Sequence, residues 1–333
     1  MLVLSQAVVE RLLPMRECVE IMASTLATLA RGDAVLPLRT VIRLPQTSNA
    51  FGVMPAYLGA PKTIGAKVVT VFPGNHGTDL DSHQGAVLLF DRENGRLVAL
   101  LDATPITTIR TAAVSAVATR LLARENASAL AIIGSGVQAR AHIEAMCAVR
   151  PIASLRVWSR NSEHARQLAE FARDRFHLDA AVSPTGADAV RAADIVCTVT
   201  SATSPVLFGE WLAPGTHVNA VGACTPNARE IDSAAVVRSR LYVDRRESAL
   251  KEPGDILVPL NNGEIAPEHV VAELGELLIG RGVGRRDVRE ITLFKSLGLA
   301  IEDLAAAAHV YDQAARTGAG VSVELGGARH AGH

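Results

Sequence analysis

Leu130-Ala131-Ile132-Ile133-Gly134-Ser135-Gly136-Val137-Gln138-Ala139 decides how this chain folds. A continuous apolar run closed by glycine reads as a strand buried on both faces. The spacing Gly134-x-Gly136-x-x-Ala139 gives each small residue a physical role. Gly134 permits a tight turn, Gly136 lets the backbone approach a pyrophosphate, and Ala139 allows close packing of helix on strand. The amides at the start of the following helix then bind phosphate. A lone Gly-x-Gly carries little weight; its position between a buried strand and a helix makes it a dinucleotide fingerprint. The competing reading is a strand–turn–helix without a ligand, and the downstream pattern weighs against it.

Downstream, helices are expected at 111–124, 137–149, 163–175 and 187–192. Strands are expected at 128–133, 154–158, 179–182, 194–199, 217–221, 240–243 and 291–294. This alternation forms βαβ units and a parallel sheet. Upstream the texture differs. Short β-type runs occur at 38–44, 52–56 and 64–72, and the runs 86–90 and 96–101 flank an Asn94-Gly95 hairpin signal. The first 20 residues read as a strand followed by an amphipathic helix. The long helix expected at 298–315 returns to the first domain, and the Gly-, Ala- and His-rich tail after 318 is expected to lack regular structure. The expected fold class is therefore α/β, a Rossmann doubly wound parallel sheet plus a second α+β domain. The expected division is 1–110 with 303–333 against 111–302.

Composition agrees with two soluble domains. At 333 residues the chain exceeds the about 250–300 residues at which single cores stop growing. A formal net charge of -1 and only 4% aromatic residues give no support to binding nucleic acid or an anionic membrane. The N-terminus lacks a basic start and a small-residue cleavage site, and no window approaches a membrane span. Cys18, Cys147, Cys197 and Cys224 form no CxxC pair. Reduced thiols in a cytoplasm and no metal site are expected.

The second strand of the expected sheet ends at Trp158-Ser159-Arg160-Asn161. NAD sites usually place an acid here for the ribose 2′-hydroxyl, whereas an Arg accommodates a 2′-phosphate. Arg160 without an acid favours NADP(H), with NAD(H) as the alternative. In the first domain Arg39, Lys67 and Arg110 sit among apolar or small residues. A cation there costs free energy unless it meets an anion. A substrate carboxylate is one candidate, and an internal salt bridge or exposed strand edge is the other. His83, in Ser82-His83-Gln84, either contacts a cofactor or caps a turn.

Several runs taken together resemble one family. They are Ile64–Val69, Ser82–Gln84, Ile109–Ala113, Gly134–Gln138, Asn219–Gly222 and Thr292–Gly298, strengthened by Gly52–Tyr57, Leu207–Trp211 and Ala249–Glu252. They resemble the ornithine cyclodeaminase/mu-crystallin family over residues 35–312, closest to its ketimine reductases. The resemblance implies a homodimer whose N-terminal part, completed by the last helix, carries substrate contacts and the dimer interface. By matching position, Arg39, Lys67 and Arg110 would hold the substrate carboxylate, with Phe51, Cys224 and Glu252 near the substrate and Lys67 and Arg110 catalytic. Ser82, His83, Arg110, Gly134, Gly136, Val137, Gln138, Ser159, Arg160, Asn161, Thr200, Val221 and Ser296 would line the cofactor.

Two departures narrow the reaction. Cyclodeaminases carry an Asp shortly after the Val-Gly pair, where this chain has Cys224, a poor general base as a neutral thiol. They also carry the acid after the second strand that is missing here. Both departures point away from ornithine cyclisation and toward NADP(H)-dependent reduction of Δ1-pyrroline-2-carboxylate or Δ1-piperideine-2-carboxylate, giving L-proline or L-pipecolate. The alternatives are a cyclodeaminase or amino-acid dehydrogenase, and a non-catalytic protein that binds NADPH or another small molecule.

Overall fold

Short apolar runs separated by helices place the parallel strands, and longer alternating runs place the antiparallel ones. The computed structural model describes residues 1–75 and 78–326. Two compact units separate at Arg110/Thr111 and Gly298/Leu299. The chain begins with β1 (Leu2–Leu4), α1 (Gln6–Leu12), α2 (Met15–Ala30), β2 (Ala34–Val35), β3 (Thr40–Arg43), β4 (Ala50–Gly59), β5 (Lys62–Val71), β6 (His83–Phe90), β7 (Leu97–Asp102) and α3 (Ala103–Leu122), whose first eight residues complete this part of the first unit. The second unit continues with β8 (Ala129–Ile133), α4 (Val137–Val149), β9 (Ser154–Trp158), α5 (Ser162–Phe176), β10 (Asp179–Val182), α6 (Gly186–Val190), β11 (Ile195–Thr198) and β12 (His217–Ala220). It ends with α7 (Ser233–Val237), β13 (Arg240–Val243), α8 (Arg246–Ala249), α9 (Gly254–Asn261), β14 (Val270–Glu273), α10 (Leu274–Leu278) and β15 (Thr292–Lys295). The chain then returns to the first unit as α11 (Ala300–Thr317) and β16 (Val321–Ser322).

The first unit holds a mixed sheet in the order β16-β1-β7-β6-β5-β4-β2, with β3 also paired to β4. Only β1 and β7 pair in parallel among its described strands. Helix α11 packs on β4, β5 and β6. Its buried alanines 305–308 let the helix approach the sheet closely.

The second unit holds a parallel sheet in the order β10-β9-β8-β11-β12-β15-β13-β14. Chain order reverses direction between β8 and β11, which makes the sheet doubly wound and marks the crevice where such sheets take ligands. Ile133, Val196, Val218, Leu241 and Leu293 fill its core. Ala139 on α4 is fully buried, as close packing of helix on strand requires.

The structure differs from the sequence expectations at several places. Helix α3 begins at Ala103, eight residues before the expected 111, because Asp102 Oδ1 accepts from Thr104 N at 2.8 Å and Pro105 is tolerated in a first turn. A division at 302/303 would cut the first turn of α11, and the break falls instead just before that helix. Val321–Ser322 forms an edge strand on β1, extended by Met1 N donating to Val323 O at 2.8 Å. The expected unstructured tail beyond 326 lies outside the described residues. Strands β2 and β14 and helices α7, α8, α9 and α10 fall outside the expected elements; in α9, Pro259 lies inside the helix and reads in sequence as a breaker.

Arg150 secures the end of α3 in the second unit. Its guanidinium donates to the carbonyls of Thr119, Arg120, Ala123 and Arg124 at 2.9–3.0 Å. A helix C-terminus leaves carbonyls short of backbone donors, and here the guanidinium supplements the amides of Ala123 and Ala127, which already reach Thr119 O and Arg124 O. Arg150→Ala should therefore lower unfolding free energy by about 1.5–3 kcal/mol, read from urea denaturation. A loss within error would show that water replaces the guanidinium.

Candidate functional site

Five parallel strands of the second unit deliver expected site residues to one sheet edge. Their carboxyl ends lead to Gly134 after β8, Ser159–Asn161 after β9, Thr200 after β11, Val221 after β12 and Ser296 after β15. The ladder continues past the strand ends. Gly134 N donates to Trp158 O at 2.8 Å, Val221 N to Thr198 O at 3.0 Å, and Ser296 N to Ala220 O at 3.0 Å.

The two glycines of the fingerprint meet different demands. Gly134 has φ +123, and a Cβ there would lie 2.8 Å from Val199 O. Only glycine fits that turn. Gly136 caps α4 in an extended conformation, and a Cβ on it would meet nothing within 4 Å. The space over the helix N-terminus is open, as an approaching pyrophosphate needs. Gln138 points a buried Oε1 that has no protein partner. Val137 is 59% exposed at the first position of α4, beside the open space over Gly136. These features fit a dinucleotide.

Ser135 Oγ lies 2.8 Å from Ser159 Oγ and ties the glycine loop to the end of β9. Arg160 is exposed and forms no ion pair among the described residues. Asn161 acts locally as a helix cap. Its Oδ1 accepts from Glu163 N at 3.0 Å and His164 N at 3.1 Å at the start of α5.

Beneath the same edge lies a buried charged group that sequence reasoning missed. Lys295 Nζ and Asp255 Oδ2 are 3.0 Å apart, both side chains without solvent exposure. Burial opposes the charge on Lys295, but Asp255, Cys224 and Glu230 outweigh it and raise the ammonium above the usual lysine range. Cys224 is half-buried, with Sγ 3.5 Å from Val221 O. Glu252 lies between α8 and α9, also half-buried.

In the first unit Lys67 and Arg110 form internal ion pairs. On β5, period-2 alternation turns Thr63, Gly65 and Lys67 inward. Lys67 Nζ lies 2.7 Å from Asp303 Oδ2. Arg110 Nε lies 2.9 Å from Asp303 Oδ1, and its Nη1 lies 2.9 Å from Glu302 Oε2. Both carboxylates are fully buried in the first turn of α11. Lys67 and Arg110 are thus already paired with internal anions, so charge neutralisation alone does not call for a substrate carboxylate. Adjacent acids in a helix's first turn read as exposed groups favoured by the helix dipole, so nothing local in the sequence marks partners 193 residues away.

Burial pushes the Lys67 ammonium down to about 8; Asp303 resists this, and Arg110 and Arg39 add to it. Burial alone would raise the Asp303 carboxyl, yet Arg110 and Lys67 hold it below the usual carboxylate range. Arg39 is half-buried just before β3, and Phe51 is half-buried on β4. Ser82 Oγ lies 3.1 Å from His83 Nδ1, with His83 exposed at the start of β6. No group of three or more His, Cys, Asp or Glu placed to hold a metal ion occurs among the described residues.

Comparison with known proteins supplies a frame for this geometry. The sequence model of the ornithine cyclodeaminase/mu-crystallin family matches residues 1–318. The chain is 43% identical to the ketimine reductase mu-crystallin of Mus musculus over 281 residues, 84% of this chain and 86% of that one. It is 37% identical to a Δ1-pyrroline-2-carboxylate reductase of Bacillus cereus over 326 residues, 98% of this chain and 100% of that one. The structure of the Thermococcus litoralis Δ1-pyrroline-2-carboxylate reductase with NADH and L-proline superposes with a TM-score of 0.95 at 39% identity, covering 97% of this chain and 100% of that one.

The ion network makes a direct prediction. Asp303→Ala leaves Lys67 and Arg110 buried with one shared carboxylate removed, which should cost about 3–5 kcal/mol of unfolding free energy. A loss below about 1 kcal/mol in urea denaturation would mean that these cations behave as exposed pairs do.

Proposed function

The chain belongs to the ornithine cyclodeaminase/mu-crystallin family, and from that premise we propose that it is a cytoplasmic reductase of cyclic ketimine carboxylates. It reduces the C=N bond of Δ1-pyrroline-2-carboxylate or Δ1-piperideine-2-carboxylate, yielding L-proline or L-pipecolate, with NADP(H) preferred over NAD(H). The observation that carries this reading is the cation cluster of the first unit. Lys67 and Arg110 lie together there, with Arg39 near enough to oppose the Lys67 charge. A cluster of this kind suits a small carboxylate, gripped in two-pronged fashion by guanidinium groups.

When bound, the dihydronicotinamide supplies the hydride that reduces the C=N carbon. What remains for the protein is orientation, charge matching and proton supply. Lys67 suits the last of these, because an ammonium titrating at about 8 gives up a proton far more readily than an ordinary lysine. Asp303 keeps that ammonium charged and fixes its position on β5. Cys224 stands where cyclodeaminases carry an acid, which favours net reduction over cyclisation. Arg160, exposed after β9 with no acid beside it in sequence, supports recognition of a 2′-phosphate.

Other parts of the reading rest on surface and composition. Strand β3 is exposed along its whole length, with Val41 46% and Ile42 59% exposed. Such an apolar edge supports burial between two copies of the chain, the homodimer. The four cysteines are free, which suits a reducing compartment. No helix among the described residues is long and apolar enough to cross a membrane.

NADPH oxidation in the presence of either cyclic imine should be fast, and faster than NADH oxidation. Lys67→Ala should lower kcat by about 100-fold or more while NADPH affinity holds. Ammonia release from ornithine with NAD, combined with silence on both imines, would overturn the reductase reading.

A further inference from the structure

Glu230 is a fully buried carboxylate that the proposed reaction does not use. It binds across the carboxyl ends of two neighbouring parallel strands, β11 and β12. Its Oε2 accepts from Thr198 Oγ1 at 2.9 Å and from Gly222 N at 2.5 Å. Its Oε1 accepts from Thr200 N at 2.6 Å and Thr200 Oγ1 at 2.7 Å. One carboxylate therefore ties the loop after β11 to the loop after β12.

The closeness of these loops leaves no slack. A Cβ on Gly222 would overlap Thr200 O and lie 2.7 Å from Glu230 Oε1. Glu230 is itself anchored from behind. Asp255 Oδ1 accepts from Glu230 N at 2.9 Å and from Ile231 N at 3.2 Å. Asp255 Oδ2 pairs with Lys295 at the end of β15, the strand beside β12. Three buried side chains thus brace the ends of β11, β12 and β15, with burial holding the Glu230 carboxyl above the usual carboxylate range against the pull of Lys295.

The location gives the clamp a purpose. A doubly wound sheet takes a dinucleotide across the point where strand order reverses, one nucleotide to each half. Here the reversal lies between β8 and β11. The glycine loop and Ser159–Arg160 belong to the β8–β9 side, where the adenosine phosphate end is read. The loops clamped by Glu230 belong to the other half.

We propose that Glu230 is a positioning residue for the nicotinamide end of the cofactor, holding the loops at Thr200 and Val221–Gly222 in the shape that receives it. This rests on the dinucleotide-binding reading given above. Glu230 acts through these loops and needs no contact with the reacting atoms.

Glu230→Gln tests the clamp, because an amide NH2 cannot accept from the donors on one side of the group. Thr198→Val is the milder companion, removing a single hydrogen bond. The readout is the dissociation constant of two probes, followed by calorimetry on the full-length protein. One is NADPH; the other is 2′-phospho-ADP-ribose, which shares the adenosine phosphate end and lacks nicotinamide. Glu230→Gln should weaken NADPH about tenfold or more and leave 2′-phospho-ADP-ribose within twofold, with Thr198→Val shifting NADPH alone by a smaller factor. Equal weakening of both probes, or weakening of neither, in whichever variant folds would overturn the proposal. Wild-type protein that binds neither probe would instead overturn the cofactor reading on which it rests.

Discussion

Asp303 carries two cations on one buried carboxylate, with Lys67 at 2.7 Å on one oxygen and Arg110 at 2.9 Å on the other. Much else in the first unit follows from this contact. A lysine inside a sheet is tolerable only with an anion against it, and the anion comes from a helix far later in the chain. The return of α11 to the first unit therefore supplies charge as well as apolar packing. Burial and the neighbouring guanidinium groups of Arg110 and Arg39 weaken the ammonium's hold on its proton, while Asp303 strengthens it. Lys67 is left with a proton that it gives up more readily than an ordinary lysine, as the proposed imine reduction requires.

The second unit treats buried charge in a parallel way. Glu230, Asp255 and Lys295 have no exposure, yet each is matched by hydrogen bonds or an opposite charge. In the first unit the buried charges are the ones to which the proposed reaction assigns protonation and anion recognition. In the second they stiffen backbone at the carboxyl edge of a sheet, where the fold already places cofactor-binding loops. The main chain of Gly134 and Gly136 can then stay sparse and open, since rigidity comes from strands and from charges underneath.

The sequence made the parallel sheet plain and the charge partners invisible. Strands β9, β10 and β13 and helix α4 have the bounds that apolar runs and glycines indicated, because each strand is a short apolar or alternating run between polar turns, β13 buried on both faces and β9 on alternate residues. Gly134 and Asp91–Gly95 could be read for the same reason, since each answers a local backbone demand. Helix α9 was hidden by Pro259, and the early start of α3 by Pro105. Glu302, Asp303, Glu230 and Asp255 were missed because their meaning is non-local: an acid in a polar-looking turn becomes a counter-ion only when folding buries it. Lys67 and Arg110 carried half of that signal, as cations in apolar surroundings. Their partners on α11 could have been sought among acids that open an otherwise apolar, alanine-rich helix.

The central claim is that Lys67, poised by Asp303, protonates the reducible imine. The most direct test is the pH dependence of kcat/KM for imine reduction in the wild type and in Asp303→Asn. The wild type should lose activity as pH rises through about 8, where Lys67 gives up its proton. Removing the Asp303 charge disfavours the ammonium, so the same limb should move to lower pH in the variant. A limb that stays in place belongs to the substrate imine or to another group, and that result, or a move to higher pH, would contradict the assignment.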